Sequence, residues 1–171
     1  MILLVVLGID PGYAIVGYSV VSFNNVRFKP IEYGAVLTDA KELFSDRLDK
    51  IFNEISSIID KYKPDALSIE KLYFNTNATT AIDVAQARGV IVLAARLKNV
   101  PVYQYTPLQV KQAVTGYGRA EKRQVQEMVK HILNLSKVPK PDDTADALAI
   151  AICHSHYAAS SFGKIISEGR V

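Results

Sequence analysis

The chain begins with short runs of Ile, Leu and Val, and apolar residues recur every three or four positions further on. The run at 2–9 is apolar without alternation, which is typical of a strand buried on both faces. The segments 14–23 and 26–38 follow it, and the short Asn-Asn connection between them predicts an antiparallel hairpin. Pro30 in the third segment favours a sheet edge or a bulge. Three meandering strands are therefore expected at the start of the fold.

The remaining chain alternates helical and strand patterns. Apolar positions spaced by three and four residues, with charges between them, predict an amphipathic helix over 41–62. The later elements are predicted as a strand at 65–70, a helix at 79–98, a strand at 101–105, a short helix in TPLQVKQAV, a helix over 121–135 and a last helix in DDTADALAIAICHSHY. A meander followed by alternating elements predicts an α/β fold, a mixed sheet with helices packed on it.

Length and composition limit the class of protein. A chain of 171 residues suits one domain, which we expect over 1–158, followed by a mobile C-terminal tail over 159–171. The single cysteine is expected to be a buried thiol in a reducing compartment. No basic segment precedes the first apolar run, and no run reaches the roughly 18 apolar residues of a membrane span. We therefore expect a cytoplasmic protein with no membrane partner.

Several acids occupy positions typical of a ligand site. Asp10 in GIDPG and Glu70 in ALSIE each close a predicted strand at its C-terminal end, where sheets with parallel strands bind ligands. In the last helix, Asp146 shares a face with both Asp142 and Asp143, because residues three and four apart are neighbours on a helix. One of these latter two also suits an N-cap. Asp10 equally suits a turn before Pro-Gly, so convergence of the acids is a hypothesis.

Convergence of four carboxylates would have a chemical consequence. At about 6 Å and an effective dielectric of about 20, each pair costs roughly 3 kcal/mol, and the summed repulsion exceeds the stability of a typical domain. The cluster would need protons or a divalent cation. Oxygen ligands without a companion His or Cys favour Mg²⁺ or Mn²⁺ over Zn²⁺. Two such ions about 4 Å apart support phosphodiester hydrolysis.

Four motifs carry a resemblance to a known family. They are LGIDPGYAIVGYSV, IEKLYFNTNATTAIDVAQARGV, YTPLQVKQAVTGYGRAEKRQVQ and DDTADALAIAICH, in that order between about Leu4 and His156. Together they resemble the RuvC family of Holliday-junction resolvases, in the ribonuclease H-like superfamily. The resemblance implies a ribonuclease H-like α/β fold: a five-stranded mixed sheet, with an antiparallel meander plus parallel strands, and helices on both faces.

The family also implies an activity. Its members are homodimeric endonucleases that resolve four-way DNA junctions by paired symmetric nicks of two like-polarity strands, in recombination and repair. The resemblance implies two Mg²⁺ ions per subunit, for which Mn²⁺ would substitute, and the RuvA–RuvB branch-migration complex as a partner. Carried over residue by residue, it implies catalytic and metal-binding roles for Asp10, Glu70, Asp143 and Asp146. Alignment on DTADALA leaves Asp142 as a capping or flanking residue.

The expected DNA contacts are aromatic and basic. The family has an aromatic residue, thought to stack on DNA, three positions after the catalytic Glu; here that position is Tyr73, with Phe74 next, and either ring can stack on a base. Cations flank the Gly-rich segment TGYGRA, whose glycines let the backbone approach a phosphate. A solvated helix face is the alternative for these cations. The predicted DNA-binding residues are Tyr73, Phe74, Lys111, Arg119, Lys122 and Arg123.

The predicted helix over 79–98 has small residues at four-residue spacing, Ala81, Ala85 and Gly89. Such spacing suits tight packing on the sheet or a self-complementary dimer contact. The family resemblance favours the dimer contact.

Three other functions compete with junction resolution. Another ribonuclease H-like nuclease would act on an RNA–DNA hybrid or a different branched DNA. An actin-like or sugar-kinase-like phosphotransferase also begins with a GID-x-G hairpin, but it needs a second similar domain for which 171 residues leave no room. A junction-binding module without catalysis is the third alternative. If Asp10→Asn keeps junction binding and nicking in Mg²⁺ persists at the wild-type rate, the metal-site hypothesis fails.

Overall fold

The computed structural model of the chain describes residues 3–72 and 78–160. Within them the strands are β1 (Leu4–Asp10), β2 (Ile15–Phe23), β3 (Phe28–Leu37), β4 (Ala66–Glu70) and β5 (Val102–Tyr105), and the helices are α1 (Phe44–Tyr62), α2 (Ala78–Leu97), α3 (Pro107–Thr115), α4 (Lys122–Ile132) and α5 (Asp142–Ala159). Residues 161–171, most of the expected tail, lie outside the described residues. No helix within the described ranges has the length and hydropathy that a membrane crossing requires.

The strands form one mixed sheet in the order β3-β2-β1-β4-β5. The β1–β2 and β2–β3 pairs are antiparallel, whereas β1–β4 and β4–β5 are parallel. The β2–β3 register shifts between Val20 and Val21, next to Pro30, which cannot donate a ladder hydrogen bond. The predicted α/β architecture, with an opening meander and later parallel strands, is confirmed.

Helices cover both faces of the sheet, as expected. Successive residues of a strand point to opposite faces, so Leu7 packs in one hydrophobic core and Val6 in the other. α1 and α2 close the first core with residues such as Ile55 and Ile91. α3, α4 and α5 close the second core, in which α5 is buried along nearly its whole length. Burial on both faces explains why β1 is apolar without alternation.

Two helices are shorter than predicted, for local reasons. α1 begins at Phe44 rather than near 41, because Asp39 accepts a hydrogen bond from the Lys41 backbone N–H and the segment forms a turn. α4 ends at Ile132 rather than near 135. Asn134 there has a φ of 51°, and the Leu135 N–H bonds back to the Lys130 carbonyl oxygen, the hydrogen bond of a helix-terminating Schellman motif.

The start of α5 corrects one expectation. Its N-cap is Pro141, and no side chain caps the helix. Asp142 is instead the first helical residue, where it accepts a hydrogen bond from Lys140 Nζ at 2.5 Å and lies 3.5 Å from Lys122 Nζ. The N-cap alternative for Asp142 and Asp143 is therefore wrong. The flanking alternative remains for Asp142, which pairs with two lysines.

Candidate active site

Asp10 and Glu70 lie side by side at one edge of the sheet. β1 and β4 run parallel with Ile9 paired to Ile69, so the next residue of each strand is an acid at the C-terminal end. This edge is where ligands bind to sheets with parallel strands. Both acids are half-buried, and each is carried by a strand whose preceding residues are fully buried. Their positions are therefore set by rigid elements.

The first turn of α5 brings two further acids to the same edge. Gly17 of β2 is paired with Asp10, and a Cβ atom at Gly17 would lie 2.0 Å from the carbonyl oxygen of Asp143. The absence of a side chain at Gly17 therefore lets α5 begin directly over β2, next to Asp10. Asp146 follows Asp143 by three residues and shares its face of α5.

A line of small residues, here called the α5 seam, fixes α5 on the sheet: Gly8 in β1, Ser19 in β2 and Ser68 in β4. A Cβ atom at Gly8 would lie 2.3 Å from the carbonyl oxygen of Ala147. The Ser19 hydroxyl donates to this same oxygen at 2.9 Å, and the Ser68 hydroxyl donates to the carbonyl oxygen of Ile150 at 3.3 Å. Both serines are fully buried. Three strands thus set the position of α5, and with it the position of its acidic first turn.

Sequence reasoning missed the α5 seam. The only available signal is a glycine or serine within an otherwise apolar strand, as in VVLGID and ALSIE. That signal equally fits a bulge or a locally weakened strand. The strand pattern does not show that a helix 82 or more residues later packs on these positions.

Replacing both seam serines by alanine (S19A with S68A) is expected to weaken metal binding and catalysis more than folding. The Ala147 and Ile150 carbonyls keep their partners within the helix, so each lost hydroxyl costs only about 1 kcal/mol. Residues that position metal ligands typically change affinity or activity by roughly 10- to 100-fold. Calorimetric titration with Mn²⁺ and thermal unfolding in EDTA measure the two effects separately.

Ser155 provides the matched control for this pair. Its hydroxyl is also fully buried, and it donates to the Ala151 carbonyl oxygen at 2.9 Å within α5 itself. Ser155→Ala should lower stability by a similar amount per hydroxyl and leave Mn²⁺ affinity unchanged. An equal loss of Mn²⁺ affinity in S155A would contradict a positioning role for the α5 seam.

The acids raise one another's pKa values. Burial, and then the negative charges of Glu70, Asp146 and Asp143, raise the pKa of Asp10 from 3.8 to about 8. Burial likewise raises the pKa of Glu70, with Asp146 adding to the effect, and burial raises the pKa of Asp146. The negative charges of these carboxylates therefore repel one another, and ionising all of them is unfavourable in the protein alone. Opposite charge nearby is what restores the ionised form of such a group.

Two lysines supply part of that opposite charge. The Nζ of Lys122, at the start of α4, lies 3.0 Å from the Asp146 carboxylate as well as 3.5 Å from that of Asp142. Burial acts to lower the pKa of Lys122, but the two carboxylates outweigh it and raise that pKa. Lys111 on α3 opposes the pKa rise at Glu70. Both ammonium groups thus interact with the acidic edge.

A cleft of about 240 Å³ opens between the acids and the helices that carry these lysines. Its polar lining consists of Glu70, Asp146, Lys111 and Lys122, and its apolar wall of Pro107, Val110, Val125, Ala149 and Ile150. A lining that contains both carboxylates and ammonium groups complements a phosphate group that binds together with cations. Phosphate oxygens complete the coordination of Mg²⁺ in many enzymes.

The acids are a suitable donor set for a divalent metal, but they do not form a closed coordination site. Among residues 3–72 and 78–160, no three Asp, Glu, His or Cys side chains are placed to hold one metal ion. Mg²⁺ usually keeps several waters and takes one or two carboxylates plus substrate phosphates. The raised pKa of Asp10 and the all-oxygen donors therefore fit such a cation.

The predicted DNA contacts are distributed unevenly. Lys111 and Lys122 line the cleft, whereas Arg119 and Arg123 are exposed outside it. Their contacts with DNA stay predictions. Tyr73 and Phe74 lie outside the described residues.

The sheet order, the helices on both faces and the acids at the ends of β1 and β4 define a ribonuclease H-like domain with a carboxylate site. The model of the family described as crossover junction endodeoxyribonuclease RuvC matches residues 6–154, so the chain belongs to the RuvC family.

Individual relatives agree with this membership. The crossover junction endodeoxyribonuclease RuvC of Alkaliphilus metalliredigens is 56% identical over 153 residues, which span 90% of this chain and 93% of that protein. The Thermus thermophilus RuvC structure matches with a TM-score of 0.84 and 37% identity over 91% of this chain and 95% of that one. The structure of T. thermophilus RuvC in complex with a Holliday junction substrate matches with a TM-score of 0.83 and 35% identity, over 91% and 94% of the two chains.

Proposed function

We propose that this protein is a metal-dependent endonuclease that resolves Holliday junctions by paired, symmetric nicks of two like-polarity strands in DNA recombination and repair. The observation that carries the proposal is the meeting of acids from β1, β4 and α5 at one sheet edge, beside a cleft that is also lined by two lysines. Membership of the RuvC family supports the reaction. The related T. thermophilus protein in complex with a Holliday junction supports the substrate.

Asp10, Glu70, Asp143 and Asp146 would hold two Mg²⁺ ions, for which Mn²⁺ would substitute. Such ions polarise a phosphodiester, lower the pKa of the attacking water and stabilise the leaving oxygen. The protein's own contribution is to fix the carboxylates on strand ends and on a helix held by the α5 seam. Lys122 would move from Asp146 towards a phosphate oxygen as the site fills, because its ammonium group and a cation compete for the same carboxylate.

Neutralising both cleft lysines (K111Q with K122Q) should flatten the salt dependence of junction binding. Each phosphate contact contributes about 0.9 to the slope of log K against log salt, so the double variant should lose about 2. Fluorescence anisotropy with a labelled junction at several salt concentrations gives the slope. Two lysines away from the cleft provide a control. Lys61 pairs with Glu32 and Lys98 with Asp60, on the surface of the other helical layer.

The control variant K61Q with K98Q removes the same charge and should keep the wild-type slope. An unchanged slope in the cleft variant would remove Lys111 and Lys122 from the DNA interface.

We propose further that the protein is a homodimer associating through α2. One side of α2 packs in the core through residues such as Ala87, Ile91 and Ala94. The opposite side also exposes large apolar residues: Ile82, Leu93 and Leu97. A Cβ atom at Gly89, on that exposed side, would meet nothing within 4 Å. A helix that is apolar on both sides needs a second partner, and a second copy of α2 fits the symmetric contact of a dimer.

Leu93→Asp tests the dimer contact. A charge in an apolar contact should shift the protein to the monomeric mass in analytical ultracentrifugation and uncouple the two nicks. Leu37→Asp is the control, because Leu37 is similarly exposed but lies on the outer strand β3. A wild type that sediments as a monomer at micromolar concentration, or an L93D variant that remains dimeric, would contradict the proposal.

Mapping nicks on a synthetic four-way junction with Mg²⁺ tests the function directly. Paired nicks at symmetric positions are expected, with little cleavage of a linear duplex or an RNA–DNA hybrid. Preferred cleavage of the hybrid would favour a different ribonuclease H-like activity. A RuvA–RuvB branch-migration complex as partner and action in the cytoplasm belong to the same proposal and rest on the family resemblance.

A further inference from the structure

The Gly-rich connection between α3 and α4 exposes an aromatic ring next to the cleft. Tyr117 in this connection is 59% exposed, and Leu108 in the first turn of α3 is 60% exposed. We call these two side chains the Leu108–Tyr117 patch. The proposed chemistry uses neither of them.

Hydrogen bonds hold the backbone of the turn that carries Tyr117. The Thr115 hydroxyl donates to the Lys111 carbonyl oxygen at 2.8 Å and accepts from the Tyr117 backbone N–H at 3.1 Å. The Gln112 side-chain amide donates to the Gly116 carbonyl oxygen at 2.8 Å. The connection is therefore a structured turn that fixes the backbone at Tyr117. A preorganised backbone loses little conformational freedom when the turn binds a partner.

The turn folds back onto α3 at the rim of the cleft. A Cβ atom at Gly118 would lie 3.1 Å from Leu108 Cγ, so Gly118 allows the turn to pack on the first turn of α3. Leu108 follows Pro107 in the sequence and shares a helix face with Lys111. Pro107 and Lys111 both line the cleft. The Leu108–Tyr117 patch is thus continuous with the wall of the candidate active site.

The positive charge around this patch favours a nucleic acid as its partner. The segment 107–123 contains four cations, Lys111, Arg119, Lys122 and Arg123, and one acid, Glu121. An aromatic ring among cations suits a nucleic acid strand, whose phosphates pair with the cations while a base stacks on the ring. Stacking tolerates any base sequence, because every base has a π face.

We propose that Tyr117, supported by Leu108, is a stacking site for an unpaired base of the DNA strand that enters the cleft. This inference deepens the proposed function and rests on it. It adds a base contact separate from the predicted one at Tyr73 and Phe74. A base held at this rim would fix the neighbouring phosphate relative to the acids.

The test compares Tyr117→Ala with Tyr117→Phe, using a four-way junction that carries 2-aminopurine at single positions near the crossover. Binding is measured in Ca²⁺. Wild type and Y117F should quench or shift the fluorescence of one probe position. Y117A should lose that signal and bind roughly tenfold more weakly, since stacking contributes about 1–3 kcal/mol per base. Tyr33→Ala is the matched control, because Tyr33 is an exposed tyrosine on the outer strand β3.

Several results would overturn the inference. Y117A with wild-type affinity and an unchanged probe signal would show that no base stacks there. A change in sedimenting mass in Y117A would assign the patch to a contact between copies of the chain. Equal weakening in Y33A would make the effect unspecific. Nick mapping with the wild type separates the two proposals: paired nicks with an unaffected Y117A remove only the stacking site, whereas a wild type that does not nick the junction removes the proposed function.

Discussion

Asp10→Asn is expected to abolish nicking while junction binding stays within a few fold of the wild-type affinity. Loss of a residue that only positions a metal ligand costs roughly 10- to 100-fold, so loss of a ligand on the central strand should cost at least about 100-fold. DNA binding should survive because the phosphate contacts that we propose come from the cations of α3 and α4 and not from this carboxylate. Single-turnover nicking and anisotropy with the same labelled junction measure the two properties.

The same substitution should stabilise the metal-free protein. Asp10 has a folded-state pKa of about 8, against an ordinary pKa of 3.8 for an aspartate. Between these values the folded state binds the proton that the unfolded state releases, so this group makes stability fall as pH rises. Asparagine does not titrate and removes that dependence. In EDTA, D10N should therefore melt above the wild type, by a margin that widens between about pH 5 and about pH 8.

Asp142→Asn is the matched control for Asp10. Asp142 is an acid of the same type near the same edge, but it pairs with Lys140 and Lys122 at the start of α5. D142N should keep most of the nicking activity and show no comparable rise in melting temperature. Nicking by D10N at the wild-type rate would contradict the metal site, and equal loss in D142N would show that the assignment of the flanking residue is wrong.

Gly17→Ala should damage both the fold and the site. The new methyl group would meet the Asp143 carbonyl oxygen at 2.0 Å, and a backbone atom cannot move aside as a flexible side chain can. Overpacking of this kind costs about 3 kcal/mol, which lowers the melting temperature of a chain of this size by about 10 °C. Because α5 must lift at its acidic first turn, Mn²⁺ affinity measured by calorimetry should fall as well.

Gly34→Ala separates these two effects. Gly34 lies in β3, and a Cβ atom there would meet the end of the Tyr18 side chain at 3.1 Å. A side chain can yield, so G34A should lose less stability than G17A and keep Mn²⁺ affinity. If G17A retained wild-type Mn²⁺ affinity, the close packing of α5 on β2 would not be what places its acids.

Many features of this protein follow from local sequence. The unbroken apolar run of β1 and the spacing of apolar residues in α1 predict their elements, because burial on two faces or on one face leaves a periodic trace in neighbouring residues. The acid at the end of a buried strand is equally local, so Asp10 and Glu70 stand out without a structure. The ordered motifs also indicate the family, which the family match over residues 6–154 confirms.

Other features were decided only by the tertiary structure. The Ser19 hydroxyl bonds to Ala147, 128 positions along the chain, and neither residue carries a local sign of the other. The Lys122–Asp146 pair and the exposed Tyr117 beside the cleft likewise depend on how α3, α4 and α5 pack. Periodicity reports which face of an element is buried, whereas the approach of distant elements depends on which small residues leave room for a backbone. For that reason the acids can be recognised in the sequence, but the acids of α5 meet those of β1 and β4 because Gly8, Gly17 and the two buried serines let α5 pack closely on the sheet.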